Sequence, residues 1–188
     1  MRLTGGTDRG RRLVTPRGHR TRPTGAKVRE AMFNILGPPP EGAVLDLFAG
    51  TGALGLEALS RGAARAVFVE RDPPALAALR RNIRELGVEE RTQVVAADVA
   101  TALRRLAADK QVQFSWVFLD PPYRQEVEAV LAELGSDELL APGAVVVVEH
   151  DRRHRPPGSV SASVAGLFLA DRRTYGDTEL SFYRGGRS

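Results

Sequence analysis

The order of apolar runs and amphipathic patterns in this 188-residue chain predicts an α/β fold with a mostly parallel sheet and an antiparallel C-terminal hairpin. Three observations carry that prediction. Five short apolar runs alternate with helical patterns, a glycine-rich turn follows the first run, and the chain ends on two strand-like runs joined by Gly176-Asp177.

Lys27 to Leu36 reads as the first helix, with Thr24 as its cap. Ala43 to Phe48 is an apolar strand that runs into Gly50-Thr51-Gly52. Leu54, Ala58 and Leu59 then set a helical stripe that stops at Arg61-Gly62. Ala66 to Val69 is the second strand, ended by Glu70. Pro73 to Leu86 is an amphipathic helix closed by Gly87, because proline suits a first helical turn and glycine the residue after the last. Thr92 to Ala97 is the third strand, and Asp98 caps a helix over Val99 to Ala107. Trp116 to Leu119 is a buried strand, Val127 to Leu134 a helix ending at Gly135, and Val145 to Val148 a buried strand. Leu167 to Tyr175 and Glu179 to Arg184 form the closing antiparallel pair.

Composition bounds the function. A chain of this length buries one core, and no low-complexity segment divides it. No cysteine is present, so disulfides, thiolate zinc ligands and thiol nucleophiles are excluded. Met1-Arg2-Leu3 leads into charged residues rather than a leader, and no apolar run reaches membrane-spanning length, so a cytoplasmic protein is expected. His150 and His154 have the i, i+4 spacing of a metal pair, but they flank charged residues before Pro156-Pro157 and read as a solvated loop. No metal is expected.

Gly50, Gly52 and Gly55 have the G-x-G-x-x-G spacing between a strand and a helix, and Glu70 ends the following strand, as in a nucleoside-binding βαβ unit. The pattern admits NAD or S-adenosylmethionine. Asp46 separates them, since a carboxylate before the glycines repels a pyrophosphate and attracts an ammonium or sulfonium. Asp46, Glu70, Asp98 and Asp120 end four successive strands, the edge where open α/β sheets bind ligands. Phe48, Gly50, Gly52, Arg71 and Val99 complete the expected cofactor contacts.

Asp120-Pro121-Pro122-Tyr123 closes the fourth strand with an acid, two prolines and an aromatic. Prolines donate no backbone hydrogen bond, so bare carbonyls stand beside the Asp120 carboxylate and the Tyr123 ring. Such acceptors beside a stacking plate suit a planar base with an exocyclic amino group. Asp120 and the Pro121 carbonyl would take its two N–H bonds. The same four residues also fit a strand-ending turn with a surface tyrosine.

The chain resembles class I S-adenosylmethionine-dependent methyltransferases in its glycine loop, acids and Asp120-to-Tyr123 tetrapeptide. It resembles the RsmD family in Arg22-Pro23-Thr24, Val28-Arg29-Glu30-Ala31, Phe33-Asn34-Ile35-Leu36, Asp46 to Gly52 and Tyr175-Gly176-Asp177-Thr178. The resemblance extends to Gly5-Gly6 and Arg9-Gly10-Arg11. It implies a seven-stranded Rossmann-like sheet, S-adenosylmethionine as cofactor, and methylation of the exocyclic N2 of a guanine in bacterial small-subunit (16S) ribosomal RNA. Gly25-Ala26-Lys27 departs from the Thr-Asp-Arg type of run expected there, so no role of that Asp carries over.

Residues 1–30 carry nine of the chain's basic residues against Asp8 and Glu30, whereas the rest of the chain is net acidic. This crowding predicts a basic N-terminal extension over 1–40 and a catalytic domain over 41–188, with Arg9, Arg11, Arg12, Arg20, Arg22, Lys27 and Arg29 on RNA. The expected partner is ribosomal RNA in a protein-bearing 30S assembly intermediate, bound by a monomer. Three rivals stay open on the residues alone: a methyltransferase of another RNA or DNA base, an NAD-dependent oxidoreductase, and a non-catalytic RNA-binding protein.

Overall fold

The computed structural model describes residues 1–16, 23–40, 42–109, 113–121, 125–136, 139–153, 156 and 166–185. Its chain order is α1 (Pro23–Leu36), β1 (Ala43–Leu47), α2 (Ala53–Ser60), β2 (Arg65–Glu70), α3 (Pro73–Leu86), β3 (Thr92–Ala96), α4 (Val99–Ala108), β4 (Phe114–Leu119), α5 (Gln125–Ser136), β5 (Leu140–Asp151), β6 (Leu167–Tyr175) and β7 (Thr178–Gly185), with a 3-10 turn at Glu89–Arg91 before β3. One seven-stranded sheet runs β3-β2-β1-β4-β5-β7-β6. The first five strands are parallel, and β7 pairs antiparallel with both β5 and β6. The sheet is thus a mostly parallel one with an antiparallel edge, and the C-terminal ends of β1, β2, β3 and β4 share one border.

Alternation along each strand divides the core into two layers. Val44, Phe68, Trp116, Phe118 and Val147 face α1, α2 and α3. Leu45, Val69, Leu119 and Val148 face α4 and α5. Phe33 of α1 packs its ring 5.5 Å from Phe118 and 6.0 Å from Trp116, so α1 rests on the strand that ends at Asp120. Among the described residues no helix is long and apolar enough to cross a membrane.

Several sequence expectations shift. Helix α1 starts at Pro23 rather than Lys27, which places Thr24 in the first turn and not at the cap; proline is preorganised for that first position and loses no hydrogen bond there. Helix α5 continues through Gly135. Strand β5 is longer than its four valines and carries His150, whose side chain is only 6% exposed and lies 2.9 Å from the Ser181 hydroxyl. His150 is therefore a packed strand residue and not part of a solvated loop; His154 lies outside the described residues.

The N-terminus packs on the same sheet layer as α1. Residues 1–13 fold into a tight hairpin, with Arg2 bridged to Arg12 and backbone bonds joining Leu3 to Arg11 and Leu13 to Met1. Leu3 and Leu13 are buried in the same layer as Phe33 and Phe68, each worth roughly 1.5–3 kcal/mol of apolar burial. Ser60 of α2 accepts from the Thr7 amide through its carbonyl and from the Asp8 amide through its hydroxyl. A Cβ on Gly6 would stand 1.9 Å from the Ser60 carbonyl oxygen, so only glycine fits that approach. This part of the basic extension is bolted to the domain.

Candidate functional site

The loop after β1 is shaped by its own sequence. Gly50 and Gly52 have φ of 55° and 80°, and Phe48 stands at 58°, a left-handed backbone that a bulky residue holds at a cost of about 1–3 kcal/mol. Side chains at the next glycines are excluded by packing. A Cβ on Gly52 would meet Leu79 at 2.4 Å, and one on Gly55 would meet the Phe68 ring at 2.4 Å, so α2 sits directly on the sheet. The loop backbone is thereby held beside the strand ends.

Glu70, at the end of β2, organises this border. One carboxylate oxygen accepts the Gly50 amide at 2.7 Å; the other accepts the amides of Arg71 and Asp72 at 2.7 and 2.8 Å. Asp72 in turn caps α3 by accepting from Ala75, 3.1 Å away. Asp98 does the same for α4 with the Thr101 amide at 2.9 Å, and that bond holds its carboxyl below the ordinary range. Asp98 is thus a helix cap at the same border.

Asp46 lies behind the loop, 2% exposed, accepting the Gly55 amide at 2.8 Å. Burial pushes its carboxyl up to about 8; the Asp120 and Glu70 charges add to the rise and the Gly55 bond opposes it. Asp46 pairs in register with Phe118 of β4, two residues before Asp120. Asp120 itself is exposed.

These residues surround a cleft of about 1090 Å³. Of the residues singled out in the sequence, Phe48, Glu70, Arg71, Asp98, Val99, Asp120 and Pro121 line it, while Asp46, Gly50 and Gly52 form its support and do not line it. Ala129, Val130 and Glu133 of α5 complete the wall. Sequence reasoning missed them, although Ala129 and Val130 adjoin the apolar stripe that marks α5. Pro122 and Tyr123 lie outside the described residues.

The expected RNA contacts divide. Arg9, Arg12 and Lys27 are exposed, and Arg20 and Arg22 lie outside the described residues. Arg11 is exposed but engaged, pairing with Asp8 at 3.3 Å and donating to the Glu85 carbonyl. Arg29 is contradicted as a contact. It is 3% exposed and directs its guanidinium to the Arg2 carbonyl and, at 3.3 Å, to Glu57. Glu57 is fully buried and accepts bonds from the Thr4 amide and hydroxyl, Arg29 and Arg61. A carboxylate desolvated in the middle of α2 needs these partners, and Arg29 answers that need.

Comparison with known proteins places this geometry. A family model described as "Conserved hypothetical protein 95" matches residues 1–184. The chain is 39% identical over 186 residues to YlbH of Bacillus subtilis, covering 98% of each. It is also 39% identical over 153 residues to "Ribosomal RNA small subunit methyltransferase D" of Escherichia coli, covering 80% of this chain and 75% of that one. The solved structure of yhhF from Escherichia coli superposes with a TM-score of 0.84 at 33% identity, over 100% and 99% of the two chains. The sheet order, the glycine loop and these relatives agree: the chain belongs to the RsmD family of ribosomal RNA small-subunit methyltransferases.

Proposed function

We propose that this protein transfers a methyl group from S-adenosylmethionine to the exocyclic N2 of a loop guanine in small-subunit ribosomal RNA. The observation that carries the reading is the charge of the cleft: among the described residues, Glu70, Asp72, Asp98, Asp120 and Glu133 line it against one cation, Arg71. Such a lining suits an ammonium and a sulfonium and opposes a pyrophosphate, which favours the methyl donor over NAD. Glu70 is placed for ribose hydroxyls, Asp98 for the adenine amine, and the apolar faces of Phe48, Val99 and Val130 for the adenine ring. When bound, S-adenosylmethionine supplies an electrophilic methyl group.

The residues of the chain prepare the nucleophile. The nitrogen lone pair of an aryl amine is delocalised into its ring, so the amine attacks poorly until it is reshaped. The carboxylate of Asp120 and the carbonyl of Pro121 accept its two N–H bonds, draw it toward tetrahedral geometry and stabilise the positive charge that develops on nitrogen. The proton lost from nitrogen leaves after methyl transfer, through Asp120 or water. Tyr123 stacks on the base. A loop guanine leaves its stack at lower cost than a paired one.

The protein works as a cytoplasmic monomer on a protein-bearing 30S assembly intermediate, because one short domain takes specificity from a folded surface as well as from the base. The test is methyl transfer to small-subunit particles followed by nucleoside mass spectrometry. N2-methylguanine is expected; N6-methyladenine or N4-methylcytosine would overturn the substrate and keep the chemistry at Asp120.

A further inference from the structure

Strand β5 carries a second carboxylate to the border where β4 ends. In this parallel pair Phe118 lies beside Val147 and Leu119 beside Val148, so one step further along both strands brings Asp120 beside Glu149. Side chains alternate along a strand, and Phe118 and Val147 both face the layer that holds Phe33 of α1. Glu149 faces that layer too, because β5 stays in register with β7 from Val145 to Asp151 and Glu149 pairs with Leu180 of the same layer. Asp120, two residues after Phe118, continues this face, and its charge is felt at Asp46, which stands beside Phe118. Neighbouring strands lie about 4.8 Å apart. The two carboxylates are therefore neighbours at one edge of the sheet, Asp120 exposed and Glu149 half-buried.

The usual reason for an acid at a strand end does not apply to Glu149. Such acids cap the helix that follows, as Asp98 caps α4. Strand β5 instead runs on to Asp151, and the next described element is strand β6. Like charges on adjacent strands repel, and hydrogen-bond donors placed between them relieve the repulsion.

Asp120 and the Pro121 carbonyl accept both N–H bonds of a base amine, which guanine, adenine and cytosine all offer. What differs is the ring nitrogen beside the amine. Guanine carries N1–H there, whereas adenine N1 and cytosine N3 present bare lone pairs. A carboxylate beside Asp120 takes the first and repels the other two. It has about four acceptor directions, so another partner on Glu149 leaves room for this bond.

We propose that Glu149 is the specificity-determining residue for the base, its carboxylate accepting the guanine N1–H while Asp120 and Pro121 hold the N2 amine. The inference rests on the reading that Asp120 receives the amine of a ribosomal RNA base.

The test compares methyl transfer to two small-subunit particles, one with guanine at the methylated position and one with 2-aminopurine there. 2-Aminopurine keeps the N2 amine but presents a lone pair at N1. It also lacks O6, so a variant is needed to assign the effect. The wild type is expected to prefer guanine by at least about tenfold in kcat/KM. Glu149→Gln, whose amide turns either an oxygen or an N–H toward the base, should bring that preference down to about threefold or less. Its affinity for S-adenosylhomocysteine should stay within about twofold of wild type, since Glu149 does not line the cofactor cleft. A wild type that uses both particles equally, or a Glu149→Gln variant that keeps the wild-type preference, would overturn the assignment. Loss of S-adenosylhomocysteine affinity in the variant would also overturn it, by making Glu149 a structural residue. A wild type that methylates neither particle overturns the functional reading instead.

Discussion

The Asp46 carboxyl accepts the Gly55 amide at 2.8 Å from a position that is 2% exposed. One bond from the first turn of α2 does not offset the loss of water around a carboxylate, so this group holds its proton until about pH 8, far above its ordinary 3.8. A cationic ligand in front of the loop reverses that balance. Binding of S-adenosylmethionine between about pH 6 and 7.5 is therefore expected to release a proton from Asp46. Calorimetry in buffers of different ionisation enthalpy reads the release directly, and Asp46→Asn, which keeps an acceptor for Gly55, should abolish it. Equal release in the variant would place the proton elsewhere.

The same shift sets a stability profile. A carboxyl whose folded pKa is raised contributes stability that is fully present below its unfolded value of 3.8 and is lost as pH rises through about 8. Denaturant midpoints of the ligand-free protein should fall across that window. Asp46→Asn should flatten the fall, and a fall of the same size in the variant would remove Asp46 as its source.

Much of this border was legible in the sequence, for identifiable reasons. Glu70, Asp98 and Asp120 each follow an apolar run, and in a parallel sheet the end of such a run is the ligand edge. The hairpin of β6 and β7 followed from a glycine-aspartate turn between two alternating runs. Arg29 was not legible, because its partner Glu57 is one acid in an otherwise apolar helix 28 residues away and nothing local marks that helix as facing α1.

Arg29 and the exposed arginines should part company under mutation. Arg29→Ala leaves a buried carboxylate short of a partner and is expected to cost about 3 kcal/mol of folding stability. Arg9→Ala and Arg12→Ala should leave stability within about 0.5 kcal/mol and lower the slope of log RNA affinity against log salt by about 0.7–0.9 for each phosphate that is no longer neutralised. Thermal unfolding and salt-dependent binding separate the two outcomes. An unchanged slope would take Arg9 and Arg12 off the RNA.

Glu70 is bonded on both oxygens to the backbone of the loop and of the strand end. Glu70→Ala should weaken S-adenosylmethionine binding by about 1–3 kcal/mol, through missing ribose hydrogen bonds and a loosened Gly50. Calorimetry at fixed pH measures it. Affinity within twofold of wild type would mean that the ribose is held elsewhere.

Asp120 offers the sharpest separation between binding and chemistry. It lies on the opposite side of β1 from Glu70 and is exposed, where it meets the acceptor amine rather than the cofactor's ribose. Asp120→Ala is expected to lower the rate of methyl transfer by at least about a hundredfold, the scale seen when one transition-state hydrogen-bond partner is removed. Affinity for S-adenosylhomocysteine should stay within a few-fold. Asp120→Asn keeps an oxygen that accepts one N–H bond but cannot act as a strong base, so measurable transfer by that variant supports an orienting acceptor. At Tyr123, phenylalanine should preserve most of the activity and alanine should impair it, since the ring face supplies the contact. Full activity in Asp120→Ala would remove the acceptor chemistry from the end of β4, and an Asp120→Asn variant as inactive as the alanine one would make Asp120 a base.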